Sequence, residues 1–405
     1  MVSTLPSPLP KPTQTAAVRP AIHSLQPQLV IWRRQLHQYP ELGFQEVGTA
    51  RLIDKLLTKW NIEHQVGVAQ TGIVATIRGN RPGPVLGIRA DMDALPIQEI
   101  NPVPYRSTYD GVMHACGHDG HVAIALGTAH YLANHRDRFA GTVKIIFQPA
   151  EEGPGGAKPM IEAGALESPS VDAMIGLHIW NNLPLGSVGV RNGPMMAATE
   201  LFDVTIKGKG GHGAIPHQTV DSIVVASQVV NALQTIVARN IDPTQSAVVT
   251  VGKFHAGTAN NVIADSASLG GKVRYFDTAY EHFFGPRIEQ IVAGICQSYG
   301  ATYRLNYQPL YPPLVNDSDI TDLVRSVALS VVETPANVVP ECQTMGGEDM
   351  SFFLRAVPGC YFFLGSANEA KGLAYPHHHP RFDFDETVLS IGVEMFARCV
   401  ETFCK

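Results

Sequence analysis

Residues 84 to 93 read Pro84-Val85-Leu86-Gly87-Ile88-Arg89-Ala90-Asp91-Met92-Asp93. A short apolar run behind a proline predicts a buried strand, and this one runs straight into two carboxylates. The form recurs further along. Thr142-Val143-Lys144-Ile145-Ile146-Phe147 is a strand that Pro149 stops and that delivers Glu151 and Glu152; Ala173-Met174-Ile175-Gly176-Leu177 is another and ends on His178. In an open α/β sheet the ligand crevice lies beyond the carboxyl ends of the strands, so strands that finish in Asp, Glu or His bring those groups together.

Working outward, Met113-His114-Ala115-Cys116-Gly117-His118-Asp119-Gly120-His121 crowds imidazoles, a thiol and a carboxylate into one stretch. Cys116 and His118 lie two apart, so in an extended backbone they share one side and can reach one metal ion or an adjacent pair. The plainer alternative is a surface loop with a buried core cysteine. Val122 to Leu132, rich in Ala, Gly and Leu, predicts an interior helix beginning near His118. Upstream, Leu29 to Trp60 has helical spacing broken by a turn at Tyr39-Pro40-Glu41-Leu42-Gly43, and Gly72 to Ile77 is a short strand.

The pattern changes near Met195. Phe202, Val204 and Ile206 alternate with Asp203, Thr205 and Lys207, a half-exposed strand. A helix over Asp221 to Ala238, strands near 247–254 and 267–275, a helix over 280–299 and a strand through Tyr303, Leu305 and Tyr307 complete the order β, α, β, β, α, β of a small ferredoxin-like domain. Beyond Tyr311-Pro312-Pro313 come a helix over 319–333, another opened by Gly346-Gly347-Glu348-Asp349, and the strand Tyr361 to Leu364. The organisation expected is α/β: a disordered Pro-rich leader at 1–27, a principal domain from 28–196 and 313–405, and an inserted α+β domain at 197–312.

With 405 residues, two domains are the default. The net charge of −6 is spread without long runs, which argues against nucleic acid or an acidic membrane face as partner and for a small-molecule substrate. Cys116, Cys296, Cys342, Cys360, Cys399 and Cys404 are too sparse for a disulfide framework. With no signal peptide in the leader and no apolar run approaching the roughly 18 to 20 residues of a membrane span, a soluble cytoplasmic protein is expected.

Cys116, His118, Glu152, His178 and the triplet His377-His378-His379 offer thiolate, imidazole and carboxylate donors. That mixture suits Zn²⁺, Mn²⁺, Co²⁺ or Ni²⁺, and five ligands from separate segments exceed what one structural zinc needs, which points to two ions. Glu151 and Glu152 leave an extended segment on opposite sides, so Glu152 ligates while Glu151 acts as general base toward the attacking water. A solvated acidic turn is the alternative for such a pair. Spacing leaves open which histidine of the triplet points inward. In Gly208-Lys209-Gly210-Gly211-His212-Gly213 the phosphate-loop signature is missing, and Arg274, closing an apolar strand, could clamp a carboxylate.

These segments, with Gly176-Leu177-His178, Met345-Gly346-Gly347-Glu348-Asp349 and His378-His379-Pro380-Arg381-Phe382, resemble the M20 family of metallopeptidases and amidohydrolases. The likeness is to its N-acyl-amino-acid amidohydrolases, the hippurate and auxin-conjugate hydrolases. The resemblance implies a zinc-peptidase-like catalytic domain with a mixed central sheet flanked by helices, and an inserted lid that mediates homodimerisation. It implies metal ligands at Cys116, His118, Glu152, His178 and His378 and a general base at Glu151. His212 would steady the oxyanion in the partner's site, with Asn260 and Arg274 on the substrate carboxylate. Many relatives have a metal-binding His where this chain has Asp91, and a bridging Asp where it has Cys116. Asp93 and Asp119 are expected to support ligands from behind, with His114 and His121 packing and hydrogen-bonding alongside. The function implied is metal-dependent hydrolysis of N-acyl-L-amino acids; a dipeptidase or carboxypeptidase of the same family, and a non-catalytic ligand-binding member, are the rivals.

Overall fold

The computed structural model describes residues 17–405. They form two compact units, one of residues up to Gly193 with Val315–Cys342 and Phe352–Lys405, the other of Pro194–Leu314 with Gln343–Ser351.

The first unit is built on an eight-stranded sheet. Its order is Glu63–Val68, Gly72–Arg78, Thr142–Gln148, Val85–Asp91, Ala173–Pro184, Gly359–Ala367, Val188–Gly189, Val338–Val339. The central four strands run parallel, and the strand on either side of them pairs antiparallel, so the sheet is mixed. Every residue of Val85–Asp91 is buried, Arg89 and Asp91 included, as its unbroken apolar pattern requires of a strand covered on both faces. Helix His118–Asn134 lies against Gln26–Gln38 and Val388–Phe403 over this sheet, with Ile124, Leu126 and Leu132 in one core with Leu29, Ile88, Val393 and Phe396.

Two expectations need correction here. Residues 1–16 of the proposed leader lie outside the described residues, but 17–27 are ordered, not a disordered leader. Pro20 opens the helix Pro20–His23, Ile22 is fully buried, and the Arg19 guanidinium pairs with Glu394 and Glu401 at 2.8 and 2.7 Å. Proline suits a first helical turn, so the composition that suggested disorder includes a helix start. Secondly, Ala173–Pro184 does not stop at His178 but continues through Ile179 and Trp180, because its neighbour Gly359–Ala367 keeps pairing with it, Phe363 opposite His178.

The second unit has the strand order Ala247–Ala256, Ser266–Tyr275, Thr199–Lys207, Thr302–Tyr311, all antiparallel. Helices Ser222–Asn240 and Phe284–Tyr299 pack on it. Phe202, Val204 and Ile206 are buried and Asp203 and Lys207 exposed, as the alternation predicts. Ser222–Asn240, at 19 residues and a mean hydropathy of 1.2, is long and apolar enough by length and composition to cross a bilayer, contrary to expectation. Its stripe of Val225, Val229, Leu233 and Ile236 is instead buried in this unit's core.

Candidate metal centre

Sheet register brings the first residues together. Asp91 pairs with Gln148 across one parallel junction, and Arg89 with Gly176 across another, so Asp91 and His178 stand level. Cys116 joins them by a route other than the extended backbone expected. Gly117 has φ 90°, a left-handed value that glycine adopts without strain, and it turns the chain directly into the helix that begins at His118. The donor atoms of Cys116, His118 and His178 all lie within 4.8 Å of one another, and all three residues are buried.

Hydrogen bonds fix the ring orientations. The His178 Nδ1–H donates to the Ile179 carbonyl at 2.6 Å, which leaves Nε2 with its lone pair 3.5 Å from the Cys116 sulfur. The His118 Nδ1–H donates to Asp93 Oδ1 at 3.3 Å, and its Nε2 is buried with no hydrogen-bond partner, 3.6 Å from Asp91 Oδ2. Both imidazoles thus present Nε2, as metal-ligating histidines held by an oxygen behind them do. Burial, with His121 and His377 close by, holds His178 well below the usual histidine range and therefore neutral.

The glutamates do not follow an extended segment. Residues 151–154 form a turn, and the carboxylates of Glu151 and Glu152 both come within 4.8 Å of the His118 donor atom and of each other. The two carboxylates therefore do not leave on opposite sides, contrary to expectation. Glu152 also groups with Cys116 and His378, and His378 Nε2 stands 3.0 Å from its Oε1. Of the triplet, His378 is the member in a donor cluster. His377 stacks on Trp180 at 4.6 Å and donates from Nε2 to the Ile179 carbonyl at 2.9 Å, while His379 stacks on Tyr375 at 4.7 Å.

Behind these lie the supporting groups. Asp93 accepts the Glu151 and Glu152 backbone N–H groups, each at 3.0 Å, as well as His118. Asp91 accepts from His121 Nδ1 and Arg89 Nη1, both at 2.5 Å, and His121 Nε2 accepts the Ile179 N–H at 2.8 Å. His118 and His121, one helical turn apart, stack at 5.3 Å, a pairing that their i, i+3 spacing announced. Asp119 corrects the expectation: its carboxylate goes to Arg33 at 2.8 Å and His37 at 2.7 Å and joins none of the donor clusters. His114 departs too, since it is 1% exposed and neither ring nitrogen has a hydrogen-bond partner among the described residues.

The donor set fits a divalent cation. Burial and then the nearby Glu152 and Glu151 push the Cys116 thiol well up, a cost that a bound cation reverses by stabilising the thiolate. Cys116 is common to two donor sets, one with His118 and His178 and one with Glu152 and His378.

Comparison with known proteins matches residues 87–402 to the model of peptidase family M20/M25/M40. The chain belongs to that family. Thermostable carboxypeptidase 2 of Saccharolobus solfataricus is 44% identical over 89% of this chain and 91% of its own length. N-acetyl-L-cysteine deacetylase of Bacillus subtilis is 40% identical over 91% and 86%. Among solved structures, the Bacillus subtilis YXEP protein, described as a dinuclear metal binding peptidase of the M20 family, matches with a TM-score of 0.81 and 36% identity over 94% of this chain and 99% of that one. This M20 protein is accordingly an enzyme, a metal-dependent amidohydrolase.

The remaining predicted residues of this M20 enzyme lie in the second unit. His212, exposed in the short strand Gly211–His212, accepts the Ala214 N–H on Nδ1 at 3.1 Å. Asn260 is exposed in a turn. Arg274 closes Ser266–Tyr275, half-buried, with its guanidinium on the Thr199 hydroxyl; burial lowers its pKa, and no carboxylate of its own unit pairs with it. Arg33, His37 and Glu99, the buried charges behind Asp119, look in the sequence like ordinary polar positions of a helix and a loop.

Proposed function

We propose that this enzyme hydrolyses the amide bond of N-acyl-L-amino acids, releasing a carboxylic acid and the free amino acid. Cys116, His118, Glu152, His178 and His378 would hold the metal, two ions per subunit, as Mn²⁺, Zn²⁺, Co²⁺ or Ni²⁺. The observation that carries this reading is the donor cluster: Cys116, His118 and His178 within 4.8 Å of one another, Glu151 and Glu152 within the same reach of His118, and the Nδ1 atoms of both imidazoles held by oxygens. When bound, the metal supplies Lewis acidity and makes water acidic enough to attack near neutral pH. Glu151 accepts the proton of the attacking water as its oxygen bonds to the amide carbon. It returns that proton to the nitrogen as the C–N bond breaks, which gives acid and amine.

The other roles follow from chemistry at named atoms. Because His212 accepts a backbone N–H on Nδ1, its neutral ring carries the proton on Nε2, where it can donate to the carbonyl oxygen as charge develops. We assign it to the partner's site in a homodimer formed through the inserted domain acting as a lid. Arg274 and Asn260 would take the α-carboxylate; the Arg274 guanidinium rests on the Thr199 hydroxyl, and burial with no acidic partner among the described residues of its unit lowers its pKa. We place the enzyme in the cytoplasm, a reading supported by six free, buried cysteines.

A panel of N-acetyl and N-benzoyl amino acids, assayed with each of the four metals, tests the reading. It predicts turnover that requires both the metal and the α-carboxylate. The relative named a carboxypeptidase favours a second reading, peptide hydrolysis, which predicts dipeptides or blocked peptides as the faster substrates. Turnover of neither class would indicate a non-catalytic binding protein.

A further inference from the structure

Three consecutive backbone N–H groups lead through the glutamate pair, and all three end on buried carboxylates. Asp93 takes those of Glu151 and Glu152, whereas the Ala150 N–H donates to Glu46 Oε1 at 2.9 Å. Glu46 is 0% exposed, and no cation pairs with it among the described residues. It directly precedes the helix Val47–Lys59, yet its side chain does not cap that helix. Its other oxygen instead accepts the Thr71 hydroxyl at 2.6 Å. A buried carboxylate without a cation is costly unless its hydrogen bonds are made, and here they are made to the Thr71 hydroxyl, the Ala150 amide and Glu46's own backbone N–H.

Ala150 is where that amide matters. Its φ is 56°, a left-handed conformation that an L-residue keeps only when its surroundings enforce it. Glu46 grips Ala150 by its N–H. Gly43 presses on it as well, for a Cβ built on Gly43 would stand 2.9 Å from the Ala150 Cβ and 3.0 Å from its Cα. The residue after this turn is Glu151.

We propose that Glu46 is a positioning residue for the reaction: by holding the Ala150 N–H it fixes the left-handed turn that aims Glu151. The inference rests on the reading of Glu151 as general base. Without the Glu46 acceptor Ala150 can relax to negative φ and swing the following carboxylates, and misplacement of a catalytic group by an ångström costs on the order of 100-fold.

The test uses the full chain at saturating Mn²⁺, with whichever of N-benzoylglycine and N-acetyl-L-cysteine it turns over faster. Glu46→Leu is expected to lower kcat by about 10- to 100-fold while KM stays within about 3-fold. Glu46→Gln keeps an acceptor for Ala150 and an amide that the Thr71 hydroxyl can meet, and is expected to restore kcat. Wild-type kcat in Glu46→Leu overturns the inference. So does a Gln variant as impaired as the Leu variant, since the carboxylate's charge rather than its grip would then be what counts. If Glu46→Leu does not fold, Gly43→Ala displaces Ala150 from the other side. It is expected to show the same kcat-selective loss, and normal kcat there contradicts the proposal. Glu151→Gln, run alongside, separates the two claims: an active Glu151→Gln removes the base assignment, whereas an inactive one with wild-type Glu46→Leu removes only the role of Glu46.

Discussion

The orientation of single imidazoles decides what this site can do. Asp93 ties together a ring and a turn, through His118 Nδ1 and the N–H groups of Glu151 and Glu152. Asp93→Ala should therefore weaken metal binding by about 10- to 100-fold, read by titration with a competing chelator. An unchanged affinity would mean that His118 needs no such anchor. Within the triplet, His378→Ala should lower bound metal per subunit, while His377→Ala and His379→Ala should leave it intact. Elemental analysis of the three variants checks this, and equal loss from all three would contradict the assignment of His378. The sequence carried the residue types but not these directions. Cys116 and His118 converge because Gly117 is left-handed and a helix starts at once, and Glu151 and Glu152 share a side because Ala150 is left-handed. Both are backbone turns to which a two-residue spacing argument is blind.

Among elements, the helix His118–Asn134 is braced from behind its first turn. Arg33, fully buried, pairs with Asp119 and Asp383 at 2.8 Å each, and His37 sits between Asp119 at 2.7 Å and Glu99 at 3.2 Å. Removing one member of such a buried set strands the others, so Arg33→Ala should destabilise the protein by roughly 3 to 5 kcal/mol in denaturant unfolding. Burial and Arg33 oppose the charge on His37, but Asp119 and Glu99 prevail and raise its pKa to about 9. A folded-state value above the unfolded 6.5 means that the contribution is complete below about pH 6.5 and is lost as pH rises through 9. The expected loss is about 3 kcal/mol. Unfolding free energies at pH 6.5 and 9.5 should differ by that much more in the wild type than in His37→Asn, and a parallel pH dependence would contradict it. Most long elements were legible because their apolar periods are clean, as in Val85–Asp91 and Phe284–Tyr299. The edge strand Glu63–Val68 was not, since nearly all of it is solvent-facing and it is held by backbone pairing to Gly72–Arg78. The helix at Pro20 was hidden in a proline-rich composition.

At the scale of the whole molecule, the account assigns the metal and base to the first unit and His212, Asn260 and Arg274 to the second, with His212 acting across a homodimer. Two inactive variants should then complement each other. Mixed and reassociated, Glu151→Gln and His212→Ala subunits yield one intact site in each mixed dimer, so activity should return to about a quarter of wild type. No recovery in proven mixed dimers would place His212 in its own subunit's site or in none. The family and the α/β architecture followed from ordered motifs and strand endings, whereas assembly and acyl-group preference depend on surfaces and pocket shapes that no linear pattern displays. Metal held by these donors, with Glu151 as base, is proposed to support cleavage of an N-acyl bond. That role is tested most directly by measuring metal content and turnover of N-acyl-L-amino acids on one sample of Glu151→Gln. The account predicts wild-type metal content with turnover lowered by about 100-fold or more; wild-type turnover in the metal-loaded variant would contradict it.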